Sequence, residues 1–256
     1  MPSQAVNRTE QTKAPIRGVL FDLGGTLFSY GARDQMGGAT GAALRRLGVD
    51  PAAPDVQAAR GAASEAVHRE YAARSSFLHA DLFRDRVTRT AELLGVAVPD
   101  QVLDEFAVEN VGNIIEHLTP KDDAASTLRA LKDRDLYCAV VSNADDSWLE
   151  PSIRRHGLEA VLDDWTSSEE AGSCKPDAQI FTHALRKARL GPGSVLFVGD
   201  SLHHDVAGAH AAGIRAVHVT GQGPTPLTDG LDAGAPDFEI EHLIELLAIV
   251  DDLNRP

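Results

Sequence analysis

Short apolar runs alternate with helical segments along most of this chain, and no other sequence feature restricts the fold as strongly. The apolar runs, each with the composition of a buried strand, lie at residues 16–21, 137–141, 195–198 and 216–219, with a weaker run at 161–166. Helical patterns separate them at residues 122–132, 176–189 and 205–212. Strands that alternate with helices of about ten residues are typical of a parallel sheet with crossover connections. The sequence therefore predicts an α/β fold.

The C-terminal part of the chain continues this alternation. Residues 237–240 have the pattern of a short strand, and residues 241–249 have the pattern of an amphipathic helix. Between them and the preceding strand, residues 221–236 are rich in Gly and Pro, which predicts a surface loop. We expect the last strand and helix to close one edge of the sheet.

The stretch between the first two apolar runs has a different character. Residues 29–117 are rich in Ala, Arg, Glu and Leu at helical spacing, with breaks that contain Gly and Pro. This pattern predicts a helical bundle inserted into the α/β core. The core then consists of residues 15–28 and 118–256. Residues 1–14 are polar and are predicted to form a disordered tail.

Polar residues follow four of the predicted strands, at the sheet edge where open α/β folds bind ligands. In chain order they are Asp22, Gly25 and Thr26; Ser142 and Asn143; Lys175; and Asp200, Ser201 and Asp205. Phosphoryl transfer requires a nucleophile, a cation near the phosphate oxygens and hydrogen-bond donors aimed at them. Each short motif alone is a weak signal, but together they supply all three requirements at one edge.

The same motifs resemble those of the haloacid dehalogenase-like (HAD) superfamily. The segment FDLGGTL at residues 21–27 is similar to the first motif of that superfamily, Asp-x-Asp-x-Thr. The segments CKPD at 174–177 and GDS at 199–201 are typical of its phosphoglycolate-phosphatase-like branch. The resemblance covers nearly all of residues 16–249. It implies a Rossmann-like sheet, a mobile helical cap of the C1 type at residues 29–117, and Mg²⁺-dependent hydrolysis of small phosphate esters.

The resemblance also implies a role for each motif residue. Asp22 would be the nucleophile that forms an aspartyl-phosphate. Mg²⁺ would be bound by Asp22, Asp200 and the backbone carbonyl of Gly24, with waters completing the coordination. Ser142 and Lys175 would hold the phosphate oxygens.

The remaining motif residues are expected to support this centre. Gly25, Thr26 and Asn143 are assigned to substrate binding, Thr26 by bracing the loop around the nucleophile. Asp205 and Ser201 are assigned to the surroundings of the metal, where Asp205 would orient Lys175 or a metal-bound water.

The chain departs from the family pattern at Gly24. In the phosphatases of the superfamily, the residue at this position is a second aspartate that acts as general acid and base. A working phosphatase would then need a substrate with a good leaving group or another proton donor. The candidate donors are His68, His79, Tyr71, His203 and His204.

Two further hypotheses remain open beside a phosphatase. The first is a dehalogenase-type hydrolase, because dehalogenases of the superfamily also lack the second aspartate. Their fourth motif is rich in Ser and Asn, however, and the GDS segment here resembles the metal-binding version. The second is a protein that binds phosphate and metal without turnover. Phosphonoacetaldehyde hydrolysis needs a lysine in the cap, and the chain has none between Lys13 and Lys121.

The predicted cap contains nine arginines, any of which could bind a second anionic group of a substrate or pair with nearby carboxylates on a helix face. They are Arg33, Arg45, Arg46, Arg60, Arg69, Arg74, Arg84, Arg86 and Arg89. The choice between these roles is left open by sequence.

The overall charge limits the partners of the chain. With 24 Lys and Arg against 38 Asp and Glu among 256 residues, the formal net charge is −14. Nucleic acids and anionic membranes require clustered basic charge, so neither is an expected partner. The expected partner is a small phosphorylated metabolite. The two cysteines do not form a disulfide framework, which predicts a cytoplasmic location. Both a monomer and a homodimer remain possible.

Overall fold

The structure is a computed structural model that describes residues 14–29, 35, 37–220 and 234–255. Its strands are β1 (Gly18–Phe21), β2 (Phe28–Ser29), β3 (Thr119–Pro120), β4 (Tyr137–Ser142), β5 (Asp164–Ser167), β6 (Val195–Gly199), β7 (Arg215–Val219) and β8 (Phe238–Ile240). The first four helices are α1 (Gly38–Arg46), α2 (Pro54–Ala72), α3 (His79–Leu93) and α4 (Asp100–His117). The later helices are α5 (Ala124–Lys132), α6 (Asp146–Arg155), α7 (Ser168–Ala171), α8 (Ala178–Ala188), α9 (Gly208–Ala211) and α10 (Leu246–Leu253).

Six of these strands form a parallel sheet in the order β5-β4-β1-β6-β7-β8. Strand β1 lies between β4 and β6, so that Gly18 is opposite Tyr137 on one side and Val195 on the other. All strand ends that carry motif residues therefore lie at one edge of the sheet. The prediction of a Rossmann-like parallel α/β fold is confirmed.

Apolar side chains cover both faces of the sheet, as expected for buried parallel strands. Val19 and Phe21 of β1 pack into one hydrophobic cluster, and Leu20 packs into the cluster on the other face. On the Leu20 side, Phe181 of α8 contacts Phe197 of β6 with ring centroids 4.8 Å apart. The alternation of strand side chains thus fixes which helices cover which face.

The segment between β2 and β3 forms a helical layer. Helix α2 packs against α3, and α1 packs against α4. Small apolar clusters hold these helices together, one around Ala43, Val87 and Phe106 and another around Val67, Tyr71 and Leu82. Where the chain leaves and re-enters the core, β2 and β3 pair as a short antiparallel ribbon. That ribbon, which the sequence did not predict, connects the two linkers of the helical insert.

Several boundaries differ from the sequence predictions. The weak strand predicted at 161–166 lies instead at Asp164–Ser167, because residues 158–160 form a 3-10 turn. The helix predicted at 205–212 begins earlier, with a π-helical turn at Leu202–Ala207 that continues into α9. Helix α6 was not predicted, and Pro151 within it is a residue that usually ends helices.

Two predicted segments lie largely outside the described residues. These are the tail at residues 1–14, of which only residue 14 is described, and the loop at 221–236, of which residues 234–236 are described. Among the helices of the described ranges, none combines the length and apolarity needed to span a membrane.

Candidate active site

Asp22 lies directly after the central strand. Its amide donates to the carbonyl of Val198 (2.9 Å), which extends the pairing of β1 with β6 by one residue. The chain then turns tightly, since the amide of Phe28 donates to the carbonyl of Leu23 (2.8 Å). Gly25 in this turn has φ of 85°, and a Cβ there would collide with the carboxylate of Asp200. Glycine at position 25 is therefore required both by the backbone and by the close approach of the two loops.

Lys175 joins two buried carboxylates. Its Nζ donates to Oδ1 of Asp22 (2.6 Å) and to Oδ1 of Asp205 (2.7 Å). Burial alone would lower the pKa of Lys175, but the charges of Asp205 and Asp22 outweigh it and raise the pKa. The ammonium of Lys175 therefore stays charged beside the carboxylate of Asp22.

The loops after β4 and β5 are joined by one side-chain amide. Oδ1 of Asn143 accepts from the amide of Lys175 (2.7 Å), and its Nδ2 donates to the carbonyl of Lys175 (3.0 Å). Asn143, which was assigned to substrate binding, thus holds the backbone of Lys175. Its neighbour Ser142 donates from Oγ to Oδ1 of Asp22 (3.2 Å). Ser142 therefore contacts the carboxylate of Asp22, and Asn143 fixes the backbone of the residue that pairs with it.

The carboxylates of Asp22, Asp200 and Asp205 form an acidic cluster, with one oxygen of each within 4.8 Å of the others. Burial, together with the charges of Asp22 and Asp205, raises the pKa of Asp200 to about 8. Burial also raises the pKa of Asp22 against the opposing charge of Lys175. Mutually repelling carboxylate oxygens of this kind fit a hard divalent cation, which would offset their repulsion.

Asp205 and Ser201 orient the loop after β6. Oδ2 of Asp205 accepts from the amide of Ser201 (2.9 Å), while its other oxygen is bound to Lys175. Oγ of Ser201 accepts from the amide of His204 (3.1 Å) and lies 3.3 Å from its Nδ1. Burial and the charges of Lys175 and His203 lower the pKa of His204 to about 4.

A cavity of about 1220 Å³ lies between the helical layer and the motif loops. The core contributes Gly24, Ser142, Asn143 and Lys175 to its wall, and α2 and α3 contribute most of the opposite side. Thr26 is fully buried, and its Oγ1 has no hydrogen-bond partner among the described residues. The hydroxyl of Thr26 therefore braces no group of the loop in this structure.

The five candidate proton donors differ in their availability. His68, His203 and His204 line the cavity. Tyr71 also lies in the wall, but its hydroxyl donates to Oδ2 of Asp85 (2.6 Å). His79 also lines the cavity, and its Nδ1 atom lies 3.4 Å from Oδ1 of Asp145 but has no hydrogen-bond partner among the described residues.

Asp145 links the core to the helical layer. Its two carboxylate oxygens accept from the amides of His79 and Ala80, each at 2.7 Å, at the first turn of α3. The Nδ1 atom of His79 lies 3.4 Å from Oδ1 of Asp145. A second link is formed by the amide of Cys174, which donates to the carbonyl of Ser75 (2.8 Å). Sequence reasoning missed Asp145, because nothing in its motif marks it as an acceptor for a distant helix.

A family profile described as haloacid dehalogenase-like hydrolase matches residues 16–213. The chain belongs to the HAD-like hydrolases. The match covers the helical insert and the four strand-end motifs, which agrees with the resemblance drawn from residues 21–27, 174–177 and 199–201.

Two relatives of this HAD-like hydrolase differ in how far they align. The ribulose-1,5-bisphosphate 5-phosphatase of Halopiger xanaduensis is 30% identical over 250 residues, which cover 92% of this chain and 98% of that protein. The haloacid dehalogenase-like hydrolase domain-containing protein 3 of Bos taurus is 33% identical over 151 residues, which cover 59% of this chain. The alignment spans 55% of the bovine protein, or about half its length.

A solved HAD structure has the same fold. The hydrolase YfnB of Bacillus subtilis, determined bound to magnesium, superposes with a TM-score of 0.67 at 21% sequence identity. The superposition covers 93% of this chain and all of YfnB (100%).

Two side chains near Asp200 were missed by the sequence analysis. Burial lowers the pKa of Lys121 and the charge of Asp200 opposes this effect, so the two groups interact across the site. The Nε2 atom of His218 lies 3.1 Å from the carbonyl oxygen of Asp200. Lys121 follows β3 and His218 belongs to β7, and neither position carries a recognisable motif.

Proposed function

We propose that this HAD-like hydrolase is a Mg²⁺-dependent phosphatase of small phosphate esters that uses Asp22 as its nucleophile. The observation that supports this most strongly is the buried ion pair of Lys175 with Asp22 and Asp205 (2.6 and 2.7 Å). It combines a carboxylate nucleophile with a fixed cation at the position where phosphate oxygens would be held.

The reaction proceeds in two displacements at phosphorus. In the first, an oxygen of Asp22 bonds to phosphorus, the ester P–O bond breaks, and the leaving oxygen departs with its electron pair and takes up a proton. In the second, water attacks the phosphorus of the aspartyl-phosphate, loses a proton, and releases inorganic phosphate from Asp22. Lys175 and the hydroxyl of Ser142 stabilise the charge on the phosphoryl oxygens in both steps.

The residues that would hold Mg²⁺ are Asp22, Asp200 and the backbone carbonyl of Gly24. Oxygen donors are the ligands that Mg²⁺ prefers, and the raised pKa of Asp200 (about 8) reflects a negative charge that a cation would offset. Bound there, the ion would neutralise charge on the phosphoryl group. Both carboxylate oxygens of Asp205 already accept hydrogen bonds, one from Lys175 and one from Ser201. We therefore propose that Asp205 positions Lys175 and does not bind the ion.

The leaving group determines how much the missing aspartate matters. A general acid typically contributes about 10² to 10⁴-fold to such a reaction. With glycine at position 24, we expect this enzyme to hydrolyse aryl and acyl phosphates faster than alkyl phosphates, because their leaving oxygens are weak bases. His68, His79, His203 and His204 line the cavity and could donate a proton to other leaving groups.

The relative that aligns over nearly its full length is named for a sugar bisphosphate. We therefore include sugar bisphosphates among the candidate substrates. The cavity of about 1220 Å³ has room for a metabolite of this size.

The test is phosphate release from aryl, acyl and alkyl phosphates and from sugar mono- and bisphosphates, with and without Mg²⁺. We expect release that requires Mg²⁺, is removed by a chelator, and falls by at least about 10³-fold in Asp22→Asn, since that substitution removes the nucleophile. The control is Asp104→Asn, an exposed cap carboxylate paired with Arg84. Release that survives Asp22→Asn would contradict the proposed mechanism. Binding of these esters without turnover would instead support the binding-only hypothesis.

A further inference from the structure

The cavity wall has the opposite charge from the molecule as a whole. The chain has a formal net charge of −14. Among the described residues, the cavity is nevertheless lined by the cations Arg60, Arg74, Arg86 and Lys175, with Asp177 as its only carboxylate. Lys175 is already paired with Asp22 and Asp205, and Arg74 is paired with Glu70. Positive charge without a carboxylate partner among the described residues therefore comes from the other cavity arginines, and such charge attracts anionic ligands.

Four arginines of the predicted cap form ion pairs with nearby carboxylates among the described residues. Arg46 pairs with Glu105 and Glu109, Arg74 with Glu70, Arg84 with Asp104 and Arg89 with Glu92. These pairs match the helix-face role considered for them. Such exposed pairs contribute little and need no ligand.

Arg86 differs from these arginines. It lies on α3 with its guanidinium 5.9 Å from the ring centroid of Phe83, and it faces the cavity. Its Nε is buried and has no hydrogen-bond partner among the described residues, and no carboxylate there forms an ion pair with it. Burial also lowers the pKa of Arg86. A buried N–H group without a partner is costly, so an anion bound in the cavity is the expected compensation.

Arg86 and Lys175 line the same cavity from different parts of the molecule. Arg86 belongs to α3 of the helical layer, whereas Lys175 follows β5 in the core. His68 and His204 also line this cavity.

We propose that Arg86 binds a second anionic group of the substrate, a carboxylate or phosphate remote from the phosphoryl group that is transferred to Asp22. The proposal rests on the proposed function, because it takes Asp22 and Lys175 as the place of the first phosphate. The planar guanidinium suits either group, since both can accept two parallel hydrogen bonds from it. The substrate class is therefore a phosphate ester with a second negative charge.

The experiment compares 4-carboxyphenyl phosphate with phenyl phosphate. Both have an aryl leaving group, so the comparison does not depend on the missing acid at Gly24. We expect kcat/KM to favour the carboxylated ester by roughly tenfold or more in the wild type, as a charge-assisted hydrogen bond would give. Arg86→Met should remove this preference and Arg86→Lys should restore part of it. The control is Arg89→Met on the same helix, which should keep the wild-type ratio.

A further aryl ester tests whether Arg86 prefers a carboxylate or a phosphate as the second anion. In 1,4-phenylene bisphosphate, a second phosphate replaces the carboxylate, and its kcat/KM is compared with that of 4-carboxyphenyl phosphate. An equal kcat/KM for phenyl phosphate and 4-carboxyphenyl phosphate in the wild type, or an unchanged ratio in Arg86→Met, would overturn the proposal.

A binding measurement separates this proposal from the proposed function. In an Asp22→Asn background, titration calorimetry with the two aryl esters should show tighter binding of the carboxylated ester and loss of that difference in Asp22→Asn/Arg86→Met. This result would support the Arg86 site even if the wild type released no phosphate. Equal affinities for both esters would overturn it, even if the enzyme were an active phosphatase. Thermal unfolding checks that each variant is folded.

Discussion

Gly24 is the residue at which this chain departs from its family. The backbone there does not have a positive φ, in contrast to Gly25 (φ 85°), so an aspartate is compatible with the local conformation. Gly24 also lies in the cavity wall, where a side chain would face the substrate. Both observations make Gly24→Asp a reasonable way to restore the missing acid.

We expect Gly24→Asp to raise kcat/KM for alkyl phosphates by about tenfold or more, since a placed general acid contributes about 10² to 10⁴-fold. Aryl phosphates should gain much less, because their leaving oxygens need little protonation. The measurement is kcat/KM for a series of esters with leaving groups of decreasing acidity. Gly24→Asn, which has nearly the same size but cannot donate a carboxyl proton, is the matched control. Equal changes in the two variants would contradict the assignment of an acid role to this position.

At the same scale, the sequence indicated which motif residues meet but not all of what each one contacts. Asp22, Lys175, Asp200 and Asp205 could be placed together because parallel strands bring their ends to one edge. The contact of Asn143 with the backbone of Lys175 depends on the distance between the loops after β4 and β5, which the sequence does not give. Nor does the sequence show that Arg86 lacks a partner, because that depends on which residues surround it in the fold.

Among the elements, α3 is the one most directly attached to the core. The carboxylate of Asp145 binds the first two amides of α3, where the free N–H groups and the helix dipole favour an anion. Asp145 directly precedes α6, so one side chain joins a helix of the α/β core to a helix of the insert.

We expect Asp145→Ala to weaken the attachment of α3 by about 1–3 kcal/mol, the range for a hydrogen-bonded buried carboxylate. Hydrogen exchange should increase in the first turn of α3 and not in α8, which packs within the core. Asp104→Ala, which removes an exposed ion pair with Arg84 further along α3, is the control and should leave exchange in the first turn of α3 unchanged. Unchanged exchange in Asp145→Ala would show that the link does not hold the helix.

The same contact should depend on pH. Burial alone would raise the pKa of Asp145, but donors from His79 and Ala80 outweigh it and lower the pKa below the usual value. A carboxylate whose pKa is lowered on folding stabilises the folded state above its ordinary pKa and loses this effect as pH falls through the lowered value. The contribution of Asp145 should therefore disappear below about pH 4. Asp145→Asn should show a smaller change in thermal stability over that range.

The sequence predicted most of the elements that form the sheet and missed others for identifiable reasons. Buried parallel strands are continuous apolar runs, which is why β1, β4, β6 and β7 were found within one or two residues. Helix α6 was missed because Pro151 interrupts its pattern. The ribbon of β2 and β3 consists of two residues per strand, too short for any periodicity to reveal.

In the molecule as a whole, the charge of the cavity wall differs in sign from the net charge of the chain. The chain has a formal net charge of −14, whereas the charged side chains that line the cavity are mostly cationic among the described residues. The composition predicts that nucleic acids are not partners. Composition does not indicate a local site for a small anion, because such a site depends on a few side chains that the fold brings together.

The central claim is that Asp22 carries the phosphoryl group during turnover. The most direct test is to mix enzyme, Mg²⁺ and the best substrate, quench with acid within milliseconds, and measure the mass of the intact protein and of its peptides. We expect a fraction of the protein to gain one phosphoryl group, located on the peptide that contains Asp22 and absent in Asp22→Asn. Phosphate release from an enzyme that never carries this group, or that carries it on another residue, would contradict the account.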